Sequence, residues 1–304
     1  MTASGTGGLG TELAAYFDLA ALGAVVVKSL SYEPWPGNPP PRLVSTDAGM
    51  LNSVGLQNPG VEAWLTGELP ALAASGARVV ASIWGMTVSG YEKAAAVLAG
   101  AADSVVAVEV NLSCPNLEGG RHVFAHSAAA TADAVEAAGA CGRPRWAKLS
   151  AEVPDVTEIG AAALDAGAET LTVVNTVRGL AIDPDTRTYR LGAGGGGLSG
   201  AALRPVAVRA ARECRRAFPA AGLVGVGGVA RGEHAVELLL AGADAVQVGT
   251  ASFAEPRAPM RVLEEVARWC TDHDVARVAA LIGAVAGDED DVQDDEEDPV
   301  HGGT

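Results

Sequence analysis

The sequence predicts an α/β fold, a TIM-type (β/α)8 barrel, and three observations carry that expectation. Short β-branched runs alternate with helical patterns along most of the chain, which implies right-handed parallel crossovers. Ala166-Gly167-Ala168-Glu169-Thr170 and Ala241-Gly242-Ala243-Asp244-Ala245 repeat one design, in which a helix ends, glycine turns the chain and a strand begins. Glycine there supplies the left-handed cap conformation. The strands then finish in polar residues, Asn175-Thr176 and Gly249-Thr250, as strands do where a barrel builds its site.

The elements follow in order. A helix is expected over 11–21 and a strand over 24–27. Asn58-Pro59-Gly60 starts a helix over 61–73, before a strand over 78–83. A helix over 91–98 leads to the strand 105–110, one over 128–138 to 146–149, and one over 156–166 to 170–174. Helix 203–218 leads to strand 223–226 and helix 234–241 to strand 245–248. Helices over 261–269 and 275–285 close the globular part, with Glu255-Pro256-Arg257 as a helix start. That makes about seven strands. The eighth would precede residues 2–10, which read as the loop after a first strand. The first strand is therefore expected to be truncated at Met1, leaving two sheet edges unpaired.

Composition narrows the class. Aromatics are 4% and the formal charge is −16, which argues against a nucleic-acid partner. Nine of the acids lie in 287–304, leaving −7 for the remainder. Residues 1–286 are thus expected to form the barrel and 287–304 a disordered acidic tail. No run is long enough to span a membrane and no leader pattern opens the chain, so a soluble cytoplasmic protein is expected. The four cysteines are far apart and suggest neither a disulfide framework nor a metal site.

The chemistry gathers at the strand 105–110 and the residues after it, Asn111-Leu112-Ser113-Cys114-Pro115-Asn116. An apolar run stops, and amides, a hydroxyl and a thiol follow. Cys114 reads as a functional thiol against the blander reading of a buried packing cysteine. Cys141, Cys214 and Cys270 take the bland reading, as do His122, His126, His234, His273 and His301. Lys28 and Lys148 end two strands and point to an anionic or electron-rich ligand. Asn52, Asn111, Asn116 and Asn175 suit a planar ligand with amide and carboxylate edges. Gly225-Val226-Gly227-Gly228 and Gly249-Thr250-Ala251 follow the last two strands, where backbone N–H groups form a phosphate site in such barrels. Gly194-Gly195-Gly196-Gly197-Leu198-Ser199-Gly200 adds either further N–H groups or a lid.

Taken together these stretches resemble dihydroorotate dehydrogenase. The pieces, in order, are Ala3-Ser4-Gly5, Val27-Lys28-Ser29, the run from Gly37 to Arg42, and the run from Met50 through Asn58-Pro59-Gly60. They continue with Asn111 to Asn116, Lys148-Leu149-Ser150, Asn175 to Gly179, Gly197 to Gly200, Gly225 to Gly228 and Val246 to Ala251. The resemblance implies an FMN-dependent barrel oxidising dihydroorotate to orotate in pyrimidine synthesis. By it, Cys114 removes a proton from C5 while a hydride leaves C6 for the flavin, and Lys28, the second catalytic residue, contacts flavin and substrate. Asn52, Ser53, Val54, Gly55, Leu56, Asn111, Asn116, Asn175 and Thr176 bind substrate. Ser4, Lys28, Ser29, Ser82, Asn111, Lys148, Val174, Gly200, Gly227, Gly228, Gly249 and Thr250 hold FMN. No metal site is implied.

A cysteine rather than serine at 114 resembles the class 1 type, and the loops at 55–60 and 116–120 are most like its NAD-linked class 1B catalytic subunit. That type pairs, as a heterotetramer built on a homodimer, with a subunit carrying FAD and a [2Fe–2S] cluster. The chain departs from the family at Ala151-Glu152, where Pro-Asn is usual, and at Ala125-His126-Ser127, where Gly-Thr-Asp is usual. Two other readings are a dihydropyrimidine dehydrogenase-like flavoenzyme and a non-catalytic paralogue acting as a subunit.

Overall fold

The computed structural model describes residues 1–114 and 123–286. Seven parallel strands form one curled sheet, in the spatial order Val25–Val26, Val79–Ile83, Val105–Asn111, Arg145–Lys148, Thr170–Val173, Gly222–Val226 and Ala245–Gln247. Spatial order follows chain order, because each crossover runs through helical chain packed outside the sheet. The fold is the α/β, TIM-barrel-like one that the alternation predicts.

The first-strand position is held by a stub. Met1 N donates to Val246 O at 2.9 Å, and Val248 N and Ala3 N form the remaining rungs with Met1 O and Val248 O, each at 2.9 Å. Toward Val25–Val26 the link is a side chain: Thr2 Oγ1 accepts from Val26 N at 2.8 Å and donates to Val26 O at 3.2 Å. Residues 1–3 thus span edges that were expected to be unpaired.

Side chains alternate along a strand, and the alternation builds the site. Outward residues such as Val25, Val79, Ala81, Val108 and Val110 join the main core beneath the helices. Inward ones begin as a small apolar cluster of Ala24, Val26, Val80 and Ala107, packed with Met1 and Trp146. Two residues further along the same faces the character changes. Val26 gives way to Lys28, Val80 to Ser82, Ala107 to Glu109 and Asn111, and Trp146 to Lys148. The apolar cluster closes one end, and the polar layer above it opens to the other.

Several expected helices are shorter. Residues 11–21 form two 3-10 turns, Glu12–Ala15 and Leu19–Ala21, because Asp18 caps the second through Ala20 N and restarts the chain. The helix over 61–73 breaks at Glu68 into Val61–Gly67 and Leu69–Ala74. Pro70, without an N–H, cannot continue the first segment's ladder. Residues 275–285 hold only the turn Val278–Leu281. The helix ahead of Val105–Asn111 runs longer than expected, over Val88–Leu98, with Thr87 Oγ1 capping Gly90 N. Gly167 and Gly242 have φ +92° and +116°, as the repeated helix–glycine–strand unit requires.

The sequence reading missed an antiparallel sheet in the order Leu43–Thr46, Gly49–Asn52, Gly195–Ser199, Val177–Leu180, and the small hairpin Ile182–Asp183 with Thr188–Tyr189. The glycine run is not a lid: Gly195–Ser199 is an inner strand of this sheet, and Gly200 after it reaches the cavity wall. A Cβ on Gly49 would collide with Ser199 O, and one on Gly197 with Thr176 Oγ1. Among the described residues, no helix is long and apolar enough to cross a membrane. All four cysteines are buried and free. Asn116, His122, His301 and the acidic tail lie outside the described residues.

Candidate active site

The carboxyl ends of the barrel strands and the edge of the antiparallel sheet enclose a cavity of about 400 Å³. That lies within the ~300–1,000 Å³ of small-molecule and cofactor pockets. Its lining includes Ser4, Lys28, Ser29, Asn52, Ser53, Val54, Gly55, Leu56 and Asn111. It continues with Lys148, Val174, Asn175, Thr176, Gly200, Gly227, Gly228, Gly249 and Thr250. Two of the expected site residues stand one step back. Ser82 reaches the cavity only through Ser29, with the hydroxyls 2.8 Å apart. Cys114 does not line the cavity in this arrangement.

Cys114 sits behind the wall because of its neighbours. Its carbonyl accepts from Phe124 N at 3.1 Å, and its thiol turns toward Asn111 O at 3.5 Å. Tyr91 OH also donates to Asn111 O, at 2.8 Å, and is held edge-on by Phe124. Burial pushes the thiol up to about 12, against the pull of the Tyr91 hydroxyl and the Lys28 ammonium. Ser113, the residue before it, does face the cavity, and its hydroxyl is buried without a partner among the described residues.

One wall is a chain of amides and hydroxyls. Asn175 Nδ2 donates to Asn111 Oδ1 at 3.1 Å, and Asn111 Nδ2 donates to Ser29 Oγ at 3.2 Å. Asn175 Oδ1 accepts from Thr176 N at 2.8 Å, while Asn52 Nδ2 donates to Gly197 O at 3.2 Å. Each amide is thus oriented by protein and presents its remaining valences to the cavity. Lys28 and Lys148 bring two ammonium groups to the same space. Burial lowers the Lys28 pKa, the Cys114 thiolate would raise it, and Lys148 lowers it further.

The opposite wall is main chain. Gly228 has φ +67°, and a Cβ there would lie 2.7 Å from Arg204 Cβ. Gly200 has φ +102°, and its Cβ would lie 2.6 Å from Gly49 Cα. Only glycine suits either place, and bare backbone of this kind is what cradles a phosphate. Thr250 Oγ1 donates to Ser199 Oγ at 2.8 Å across this end.

The sequence reading missed some lining residues. Asn38, whose Nδ2 donates to Ser53 Oγ at 2.9 Å, and Ser199 lie inside stretches that carried the resemblance, so the signal was present. Met50 opens another of those stretches, whereas Phe253 and Leu43 lie outside them and carry no chemical signature. Glu109 and Gln247 lie below the cavity and were read as strand.

Comparisons with known proteins identify the family. The family model for dihydroorotate dehydrogenase matches residues 1–269. The NAD(+)-type dihydroorotate dehydrogenase B catalytic subunit of a Geobacter species is 43% identical over 286 residues, covering 94% of this chain and 93% of that protein. Its counterpart in Pelobacter propionicus is 45% identical over 289 residues, with 94% and 93% covered. A Solibacter usitatus protein with the fumarate-linked, A-type name is 43% identical over 286 residues, again with 94% and 93% covered.

Fold and relatives together define an α/β-barrel oxidoreductase. The chain belongs to the dihydroorotate dehydrogenase family, and resembles its cysteine-type, NAD-linked catalytic subunits.

Proposed function

We propose that this chain is the FMN-binding catalytic subunit that oxidises (S)-dihydroorotate to orotate in pyrimidine synthesis. The observation that carries the reading is the division of one cavity into a glycine cradle and a wall of amides with two lysines. The residues fit FMN: the close approach of Gly49 and Arg204 holds Gly200 and Gly228 to glycine, which keeps their backbone bare at the cavity wall, and the Ser113 hydroxyl is buried there without a partner among the described residues. Gly227, Gly228, Gly249 and Thr250 would hold the phosphate end. Ser4, Ser29, Val174 and Lys148 would hold the ring end.

FMN, when bound, supplies the acceptor for the hydride leaving C6. The chain's own residues do the rest. Lys28 and Asn52 neutralise and orient the carboxylate, and Asn111 and Asn175 align the amide edge. Cys114, as thiolate, takes the proton from C5, and the C5–C6 double bond forms as both leave. For this the thiol must turn from Asn111 O into the cavity beside Ser113, where it escapes the burial that holds it near 12 and keeps the charge of Lys28. A base works best with its pKa near the operating pH. Asn116 completes the substrate contacts in this reading.

The names of the Geobacter and Pelobacter relatives, catalytic subunits of an NAD(+) enzyme, support a second subunit; in this reading that subunit carries FAD and a [2Fe–2S] cluster, and the two form a heterotetramer in the cytoplasm. The fumarate-linked name of the Solibacter relative favours a second reading, in which the barrel reduces fumarate unaided. Purified chain with FMN, given dihydroorotate and either fumarate or the co-purified partner with NAD, separates the two. Fumarate turnover by the chain alone would overturn the partner-dependent reading. A purified chain that takes up no FMN would overturn the flavin reading.

A further inference from the structure

Beneath the cavity, on the strand Val105–Asn111, Glu109 is wholly buried. One carboxylate oxygen, Oε2, accepts from Gln247 Nε2 at 2.8 Å. The other, Oε1, lies 3.7 Å from Lys148 Nζ and has no hydrogen-bond partner. Lys148 is itself 4% exposed, lines the cavity, and donates to Ser4 Oγ at 3.3 Å. Below the pair lies the apolar cluster of Val26, Val80, Ala107 and Trp146. Little water is available there to screen the two charges, so their interaction is strong.

A half-satisfied buried carboxylate is a poor device for stability, since an apolar residue of the same volume would often serve as well. Its effect is on Lys148. It tethers a flexible side chain to the cavity floor and opposes the field of an ammonium that would otherwise act undiminished on whatever the cavity holds. The geometry points to Glu109, oriented by Gln247, as a positioning residue: it fixes where the Lys148 charge sits and how much of it a bound flavin feels. This rests on the flavin reading above. The carboxylate opposes the charge that favours electron-rich flavin, so it restrains the electron affinity of the site.

Sulfite affinity of the bound flavin is the readout, because sulfite addition places negative charge on the ring and responds to nearby positive charge. In Glu109→Gln the Lys148 charge is uncompensated, and sulfite should bind about tenfold tighter or more; in Lys148→Gln it should bind about tenfold weaker. The double variant, with no charge in either place, should return to within about threefold of the native protein. Lost FMN content in Glu109→Gln with unchanged sulfite affinity would mean that Glu109 only packs, and would overturn the proposal. Should Glu109→Gln not fold, the double variant decides. A folded, flavin-loaded double variant supports compensation between the two charges, and a double variant that also fails to fold overturns it. Native protein without flavin would instead fail the reading on which this rests, before any variant is compared.

Discussion

On one side of the cavity, built by Gly200, Gly227, Gly228, Gly249 and Thr250, the wall is main chain with almost no side chain to alter. On the other side Lys28, Asn52, Asn111 and Asn175 present ammonium and amide groups, with Asn175 bonded to Asn111, Asn111 to Ser29 and Asn52 to Gly197 O. The first half is intolerant: at Gly200, Gly227 and Gly228 adding one carbon collides with a neighbouring element. The second half is adjustable, because each substitution removes one contact and leaves the backbone in place. A cofactor that never changes suits the first kind of wall. A substrate told apart from its analogues suits the second.

The sharpest way to break this contrast is Gly228→Val. A β-branched residue at φ +67°, with its Cβ placed 2.7 Å from Arg204 Cβ, meets both backbone strain and overpacking, each worth about 1–3 kcal/mol. The variant should retain no flavin absorbance after purification. Next comes Cys114→Ala, which should keep its flavin and lose about 10²–10⁴-fold in kcat for dihydroorotate. In the native protein the thiol is raised to about 12 by burial, so the thiolate fraction, and kcat with it, should climb as pH rises above neutrality. A pH-independent rate would remove Cys114 as the base.

Smaller effects sharpen the substrate half. Lys28→Met should slow both substrates, because the thiolate loses the Lys28 charge, but should weaken kcat/KM about tenfold more for dihydroorotate than for dihydrouracil, since only the former has a carboxylate to leave unpaired. Equal losses on both would remove Lys28 as the partner of the carboxylate. Smallest is Ser199→Ala. It removes the acceptor of one Thr250 hydroxyl bond, worth about 0.5–1.5 kcal/mol, and should loosen FMN by roughly threefold to tenfold in a titration.

The barrel strands were legible because β-branched runs and helix–glycine–strand units leave a periodic trace. The antiparallel sheet was not, because its inner strand is Gly195-Gly196-Gly197-Leu198-Ser199; glycine has no side chain to alternate. The helix over 61–73 was overextended because Pro70 is tolerated at the start of a second helix as well as forbidden inside a first. In the site, polar residues at strand ends stood out against apolar runs. Glu109 did not, since one acid among valines looks like the solvent face of a strand. The orientation of Cys114 depends on Tyr91 and Phe124, residues with no sequence mark tying them to it.

The Thr2 hydroxyl that joins the stub to Val26 has a mechanical consequence. The other boundaries between neighbouring barrel strands are stitched by peptide groups, whereas along residues 1–3 this seam is held by one rotatable side chain, and its main-chain link, Lys28 N to Gly8 O at 3.0 Å, lies beyond the stub. Amide hydrogen exchange should therefore be fastest there among the barrel strands. Because Ser4 and Gly5 continue from the stub into the cavity wall, a bound ligand should slow that exchange, and the opening of the seam becomes a gauge of occupancy.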